Sequence, residues 1–314
     1  MDHAPYRAAE QRLWRHYGVS PSEDLVDLPG YGTKLRVQEF GAGEPLLFIH
    51  GGPTSGAGFA SLIPHLTGVH SFVIDRPGCG LSESPGWTRG MFQASLDGLV
   101  GSALDALGLP RASVLGSSFG GTFALRAARA TPERIDRLVL LGGPTAIEGL
   151  PLPTIERLLL LPGAARLAAR FVPGRDRQRK AVRDIGHAAA VDDGRIPDAY
   201  WDWSDQLLQD TGSWRDDIAL YRYLSRWSMS YGPEVRITTD DLAAVPAPTL
   251  IVWGGYEPYG GREAADHVAQ AMPDARVSFL PGAGHLPWID EPEVVGSAVS
   301  DFLLDRAAVL RRAA

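Results

Sequence analysis

Gly116-Ser117-Ser118-Phe119-Gly120 sets a serine between two glycines in the pattern GxSxG. The pattern suits a hydroxyl held on a sharp turn between a strand and a helix, where glycines keep side chains out of a crowded bend. An apolar run ending at Gly116 precedes it, and the helix-forming run TFALRAARA follows and stops at Pro132. A serine hydroxyl is a weak nucleophile until a base takes its proton and a carboxylate orients that base. Downstream, His285 stands in Pro281-Gly-Ala-Gly-His285, and Glu257 stands in GGYEPYG. The chain order is Ser118, Glu257, His285, which points to nucleophilic attack on a carbonyl.

These residues need a rigid frame. PLLFIH (45–50), SFVID (71–75), ASVLG (112–116), IDRLVLLG (135–142), PTLIVWG (248–254) and RVSFLPG (276–282) are short, nearly continuous apolar runs, the signature of strands buried on both faces. Helical stretches separate most of them, so the expected fold is α/β, a mainly parallel sheet covered on both sides, with functional residues in the loops after the strand ends. Ahead of the first run, residues 4–17 place Leu13, Trp14 and Tyr17 at helical spacing. DLVDLP and TKLRVQEF, joined by turn residues, read as an antiparallel hairpin. Between the fourth and fifth apolar runs, residues 143–247 are helical in pattern and too long for a simple crossover, so they predict an inserted helical cap over a core of 1–142 and 248–314. Within this insert, residues 200–231 hold eight aromatics in 32, and WRDDIALYRYLSRWSMSY predicts one helical face carrying Leu220, Tyr221, Leu224, Trp227 and Tyr231.

With the elbow and the Ser, acid, His order in place, the chain resembles the α/β-hydrolase superfamily from about residue 25 to 305. Four patterns carry the resemblance: His50-Gly51-Gly52-Pro53, Asp75-Arg76-Pro77-Gly78-Cys79-Gly80-Leu81-Ser82, the elbow itself, and Gly282-Ala283-Gly284-His285. Glu257 departs from the aspartate that members commonly carry, and Asp75, Asp136 and Glu148 are rival acids. The resemblance implies an oxyanion hole in the loop after His50. Pro53 has no N–H, so the expected donors are the N–H groups of Gly52 and Phe119. His50 is expected to brace that loop, Asp75 and Arg76 to tie down theirs, and Cys79 to pack rather than react. Trp203, Trp214 and Trp227 are candidate pocket walls, with Trp201 close in sequence, although each could equally glue cap to core.

The activity expected from these residues is hydrolysis of an ester or lactone of a hydrophobic small molecule through an acyl-enzyme. HGGP also resembles proline iminopeptidases, but Thr54 and Phe119 stand where those usually carry Gly and Trp. The superfamily further includes carbon–carbon bond hydrolases, and proteins that use the pocket for cyclisation, epimerisation or plain ligand binding.

Composition narrows the partners. The 314 residues are 45% hydrophobic and 21% charged with a net charge of −7, and show no basic footprint for a nucleic acid or an anionic membrane. The single cysteine excludes an internal disulfide and a multi-cysteine zinc site. GxxxxGK[ST], HExxH and a dinucleotide-binding turn are all missing, so neither cofactor nor metal is expected. The first residues lack an apolar signal region and no run is long enough to span a membrane, so a cytoplasmic enzyme is expected.

Overall fold

Five of the six apolar runs become inner strands of one eight-stranded sheet in the computed structural model, which describes residues 3–225 and 229–305, while the sixth, expected to be buried on both faces, forms its half-buried edge strand. The strands are β1 (Ser22–Leu28), β2 (Thr33–Gly41), β3 (Glu44–Ile49), β4 (Val69–Ile74), β5 (Ala112–Ser117), β6 (Ile135–Leu141), β7 (Thr249–Gly254) and β8 (Ala275–Leu280). Their order across the sheet is β1-β2-β4-β3-β5-β6-β7-β8. The β1–β2 and β2–β4 pairs are antiparallel and the others parallel. Every residue of β5 and β7 is buried, as continuous apolar sequence requires, whereas the charged edge strand β1 is largely exposed.

The helices are α1 (Ala4–His16), α2 (Arg89–Ala106), α3 (Phe119–Ala130), α4 (Thr154–Leu159), α5 (Ala164–Ala168), α6 (Arg175–Val182), α7 (Ala188–Asp192), α8 (Asp198–Asp210), α9 (Ser213–Leu224), α10 (Thr239–Ala243), α11 (Arg262–Gln270), α12 (Pro287–Asp290) and α13 (Pro292–Leu304). Strand alternation deals the apolar side chains into two cores. Leu47, Ile49, Val114, Leu140 and Ile251 face one way and pack with Phe92 and Leu96 of α2 and Phe123 of α3. Leu46, Phe48, Leu115, Val139 and Val252 face the other and pack with Leu13 of α1, Leu207 of α8 and Val299 of α13. The residues between β6 and β7 carry α4 to α10. The helical face expected to run on to Tyr231 stops early, because Ser225 is extended and the Leu224 carbonyl accepts from Gly232 N, closing a loop. Tyr231 is drawn instead to the Glu156 carboxylate, at 2.7 Å. Trp227 lies outside the described residues.

A buried charge cluster fastens α1 to the sheet. Arg36 on β2 donates to Glu10 (2.8 and 2.5 Å), to Glu23 (2.6 Å) and to Asp75 (3.1 Å), with the Arg36, Glu10 and Asp75 side chains all removed from water. Desolvation makes such a cluster costly to break, because the remaining charges stay buried. Arg36→Met strands Glu10 and Asp75 and should cost about 3–5 kcal/mol in urea unfolding. Arg7→Ala, which removes only the half-exposed pair with Glu23, should cost under about 1 kcal/mol.

Candidate active site

β5 runs into α3 with Ser118 alone at the corner, at φ 51° and ψ −121°, a backbone conformation that few non-glycine residues adopt. The flanking glycines are required by contact. A Cβ at Gly116 would lie 2.6 Å from the Gly120 carbonyl oxygen, and one at Gly120 would run into the carbonyls of Ile49 and His50. The corner leaves Ser118 half-buried and makes Phe119 the first residue of α3, so the Phe119 N–H has no carbonyl four residues back to bond.

Glu257 follows β7, His285 follows β8, and the two meet. His285 Nδ1 lies 2.7 Å from Glu257 Oε1 and 2.9 Å from Oε2, both residues being buried. With a carboxylate as partner, Nδ1 carries the proton and Nε2 presents a lone pair. Glu257 is fixed in turn by Gly143 N at 3.0 Å, on the loop leaving β6, and by Tyr259 N at 3.4 Å. The neighbouring Gly142 sits so close to the histidine loop that a Cβ there would strike the His285 carbonyl. Burial works against the imidazolium, but the Glu257 carboxylate outweighs it and Glu156 adds to it, so the His285 pKa is raised. The rival acids are engaged elsewhere: Asp75 with Arg36, Asp136 with Arg111 and Glu148 with Arg236.

The loop after β3 is braced as its residue types suggest. His50 Nδ1 donates to the Gly51 carbonyl at 2.7 Å, and Nε2 accepts from Arg76 N at 2.8 Å. Burial and the Arg76 charge push the His50 pKa well down, keeping it neutral. Arg76 donates further to His50 O (3.0 Å) and Gly51 O (2.9 Å), and its guanidinium lies over the Phe119 ring at 5.2 Å. Asp75 pins the same region through Gly56 N and Leu81 N. Cys79 is buried, and burial raises its thiol pKa, so it stays protonated.

Three features were invisible in sequence. Asp217 on α9 pairs with Arg76 at 2.5 Å, both side chains buried, and its carboxylate fills the space where a Cβ of Gly52 would stand. Glu156 on α4 receives hydrogen bonds from the hydroxyls of Tyr231 and Tyr259, and burial raises its pKa against those bonds and the pull of His285. Between α6 and α7 the helix breaks at Gly186 (φ 98°). There the Ile185 carbonyl accepts from His285 N at 2.9 Å, while buried His187 bonds Asp290 (2.7 Å) and Leu286 N (3.0 Å). Each partner is more than sixty residues from the group it supports, so spacing carries no trace of it. Among the candidate pocket walls, Trp203 is buried in the core cluster that holds Phe59 and Leu207, and Trp214 donates from Nε1 to Ala168 O at 3.2 Å. Trp201 packs with Ala190 and Ile196. No group of three or more His, Cys, Asp or Glu side chains among the described residues is arranged to hold a metal ion.

Comparison with known proteins agrees with this frame. The model of the alpha/beta hydrolase fold family matches residues 44–292, and the chain belongs to that family. Among its relatives is a 2-hydroxy-6-oxononadienedioate/2-hydroxy-6-oxononatrienedioate hydrolase of Paraburkholderia phymatum, 28% identical, with 92% of this chain and 97% of the relative covered. A 2-hydroxymuconate semialdehyde hydrolase of Pseudomonas putida is likewise 28% identical, over 89% of this chain and 93% of its own. The solved carboxylesterase CesB of Bacillus subtilis superposes with a TM-score of 0.73 at 20% identity, covering 96% of this chain and 98% of that one.

The contacts at the elbow generate a paired test. Gly120→Ala should cost more than about 3 kcal/mol in thermal or urea unfolding, because its methyl meets backbone that cannot yield. Gly98→Ala, in the interior of α2 with open space around it, should stabilise by about 0.5–1 kcal/mol.

Proposed function

We propose that this hydrolase cleaves a carboxylic ester or lactone of a hydrophobic small molecule through an acyl-enzyme. The observation that carries the reading is the buried His285–Glu257 pair, whose Nε2 has no hydrogen bond among the described residues, in the loops after the carboxyl ends of β7 and β8, as the strained serine is after β5. Ser118 Oγ attacks the carbonyl carbon as His285 Nε2 takes its proton. Glu257 holds the Nδ1 proton and stabilises the imidazolium, and the negative oxygen is met by the N–H groups of Phe119 and Gly52. The imidazolium then protonates the leaving alkoxide. In the second half, His285 takes a proton from water, the hydroxide attacks the acyl carbon, and Ser118 leaves as the protonated hydroxyl. Residues 143–247 act as the cap that selects the acyl group.

Charge favours a neutral substrate. The charges that act on His285 are the carboxyls of Glu257 and Glu156, and the cation Arg76, over the Phe119 ring, is paired with Asp217. A dicarboxylate would have to enter a site that faces it with negative charge. The second reading, hydrolysis of a carbon–carbon bond, is favoured by the names of the relatives at 28% identity and uses the same serine, acid and histidine.

A panel of esters, lactones, aminoacyl amides and vinylogous 1,5-diketones separates these readings. Ester or lactone turnover should show the highest kcat/KM and vanish with Ser118→Ala; turnover confined to the diketones would assign the second reading. A fluorophosphonate probe should label wild type and leave Ser118→Ala unlabelled. The raised His285 pKa predicts that kcat/KM falls as pH drops through it, since the protonated ring cannot accept the serine proton. Glu156→Gln removes one of the carboxylates that favour the imidazolium, so that acid limb should move to lower pH. Glu257→Gln should lower kcat by on the order of 10⁴ while the melting temperature shows the fold retained.

A further inference from the structure

α4 and α5 both lie against α9, and each turns a plain inner side to it. On α4 and the residue after it, Glu156 and Leu160 point inward; on α5 and the residue after it, Ala165 and Ala169 do so. Ile155 and Leu158 on α4 and Leu167 on α5 lie off these inner positions, and Leu161 and Phe171 stand just beyond the two helices; all five are exposed. Ile155 is 63% exposed and Phe171 62%, among the largest exposures of any apolar side chain in the described residues. Monomeric surfaces seldom expose five large apolar groups within so short a stretch, on two helices in contact, without a partner for them.

The polar residues of this face all carry one sign. Arg157, Arg166 and Arg170 are exposed beside the apolar groups, and among the described residues none of the three is in an ion pair. From residue 155 to 175 the one acid is Glu156, which is turned inward onto Tyr231 and Tyr259. This is a cationic, apolar surface on a chain whose net charge is −7. Its likeness to a second copy of itself is poor: a two-fold dimer through this face would oppose arginines to arginines with no acid between them. A layer of anionic headgroups over acyl chains meets both features at once, since the guanidinium groups pair with phosphates while the apolar side chains enter the boundary beneath. We propose that the outer face of α4 and α5 docks on an anionic lipid surface. In sequence the three arginines are spread over 14 residues and separated by apolar ones, so no basic run announces them; the fold leaves all three exposed.

Co-sedimentation of the full-length protein with vesicles tests this. Vesicles of phosphatidylcholine containing phosphatidylglycerol should bind it, and vesicles of phosphatidylcholine alone should bind far less. Binding should weaken as salt rises, because the arginine contribution is screened. Arg166→Glu with Arg170→Glu should lower the partition by about 25-fold or more, at about fivefold for each arginine removed. Leu167→Ser with Phe171→Ser should lower it independently, and all four side chains are exposed, so an unchanged melting temperature certifies the fold. No sedimentation with anionic vesicles would overturn the proposal. So would equal binding to both vesicle types, or a dimer in analytical ultracentrifugation that the same substitutions dissociate while vesicle binding is absent.

Discussion

A guanidinium buried among three parts of the chain is the constraint on which the site depends. Arg76 has no water to solvate it, so each donor must find an acceptor inside the protein. It takes the His50 and Gly51 carbonyls and the Asp217 carboxylate, and lays its plane over Phe119. The loop after β3, the start of α3 and helix α9 are thereby referred to one charge. The backbone N–H groups at Gly52 and Phe119 keep their relative placement only while Arg76 stays satisfied, and Arg76 stays satisfied only while α9 is seated. The loop after β3 and the packing of α9 are therefore coupled through one side chain.

The histidine loop shows the same logic with weaker bonds. His285 is oriented by Glu257 on one side, and its backbone is held by Ile185 at a helix break on the other. His187, bonded through Nδ1 to Asp290 and through Nε2 to Leu286 N, makes that break a fixed joint. The segment between β6 and β7 thus touches these loops at two separate places, α9 against the loop after β3 and the α6–α7 break against the histidine loop.

The sheet was legible because buried strands leave little choice of residue: all six apolar runs became strands within about two residues of their expected ends. The elbow was legible for a different reason, since its glycines answer to contacts that no side chain would survive. The pairing of Glu257 with His285 was legible by the place of Glu257 after β7, and the glutamate reaches His285 with both oxygens. What could not be read was pairing across long separations. Asp217 is one of many acids on amphipathic helices, and nothing near it in sequence marks it as the partner of Arg76. The helix expected to reach Tyr231 failed likewise, because periodicity cannot register the pull of a distant carboxylate such as Glu156.

The supports of helix α1 lie at very different distances along the chain. Arg36 and Glu23 follow it closely, but the Tyr6 N–H is bonded by the Asp210 carboxylate and His3 by the Asp210 carbonyl, 204 and 207 residues away. Its apolar side, Tyr6, Leu13 and Trp14, closes against α8 and the core it shares with α13. On the ribosome, then, α1 must wait for some two hundred further residues to emerge before its apolar face can be covered. Through that interval it is an uncovered amphipathic segment of a nascent chain.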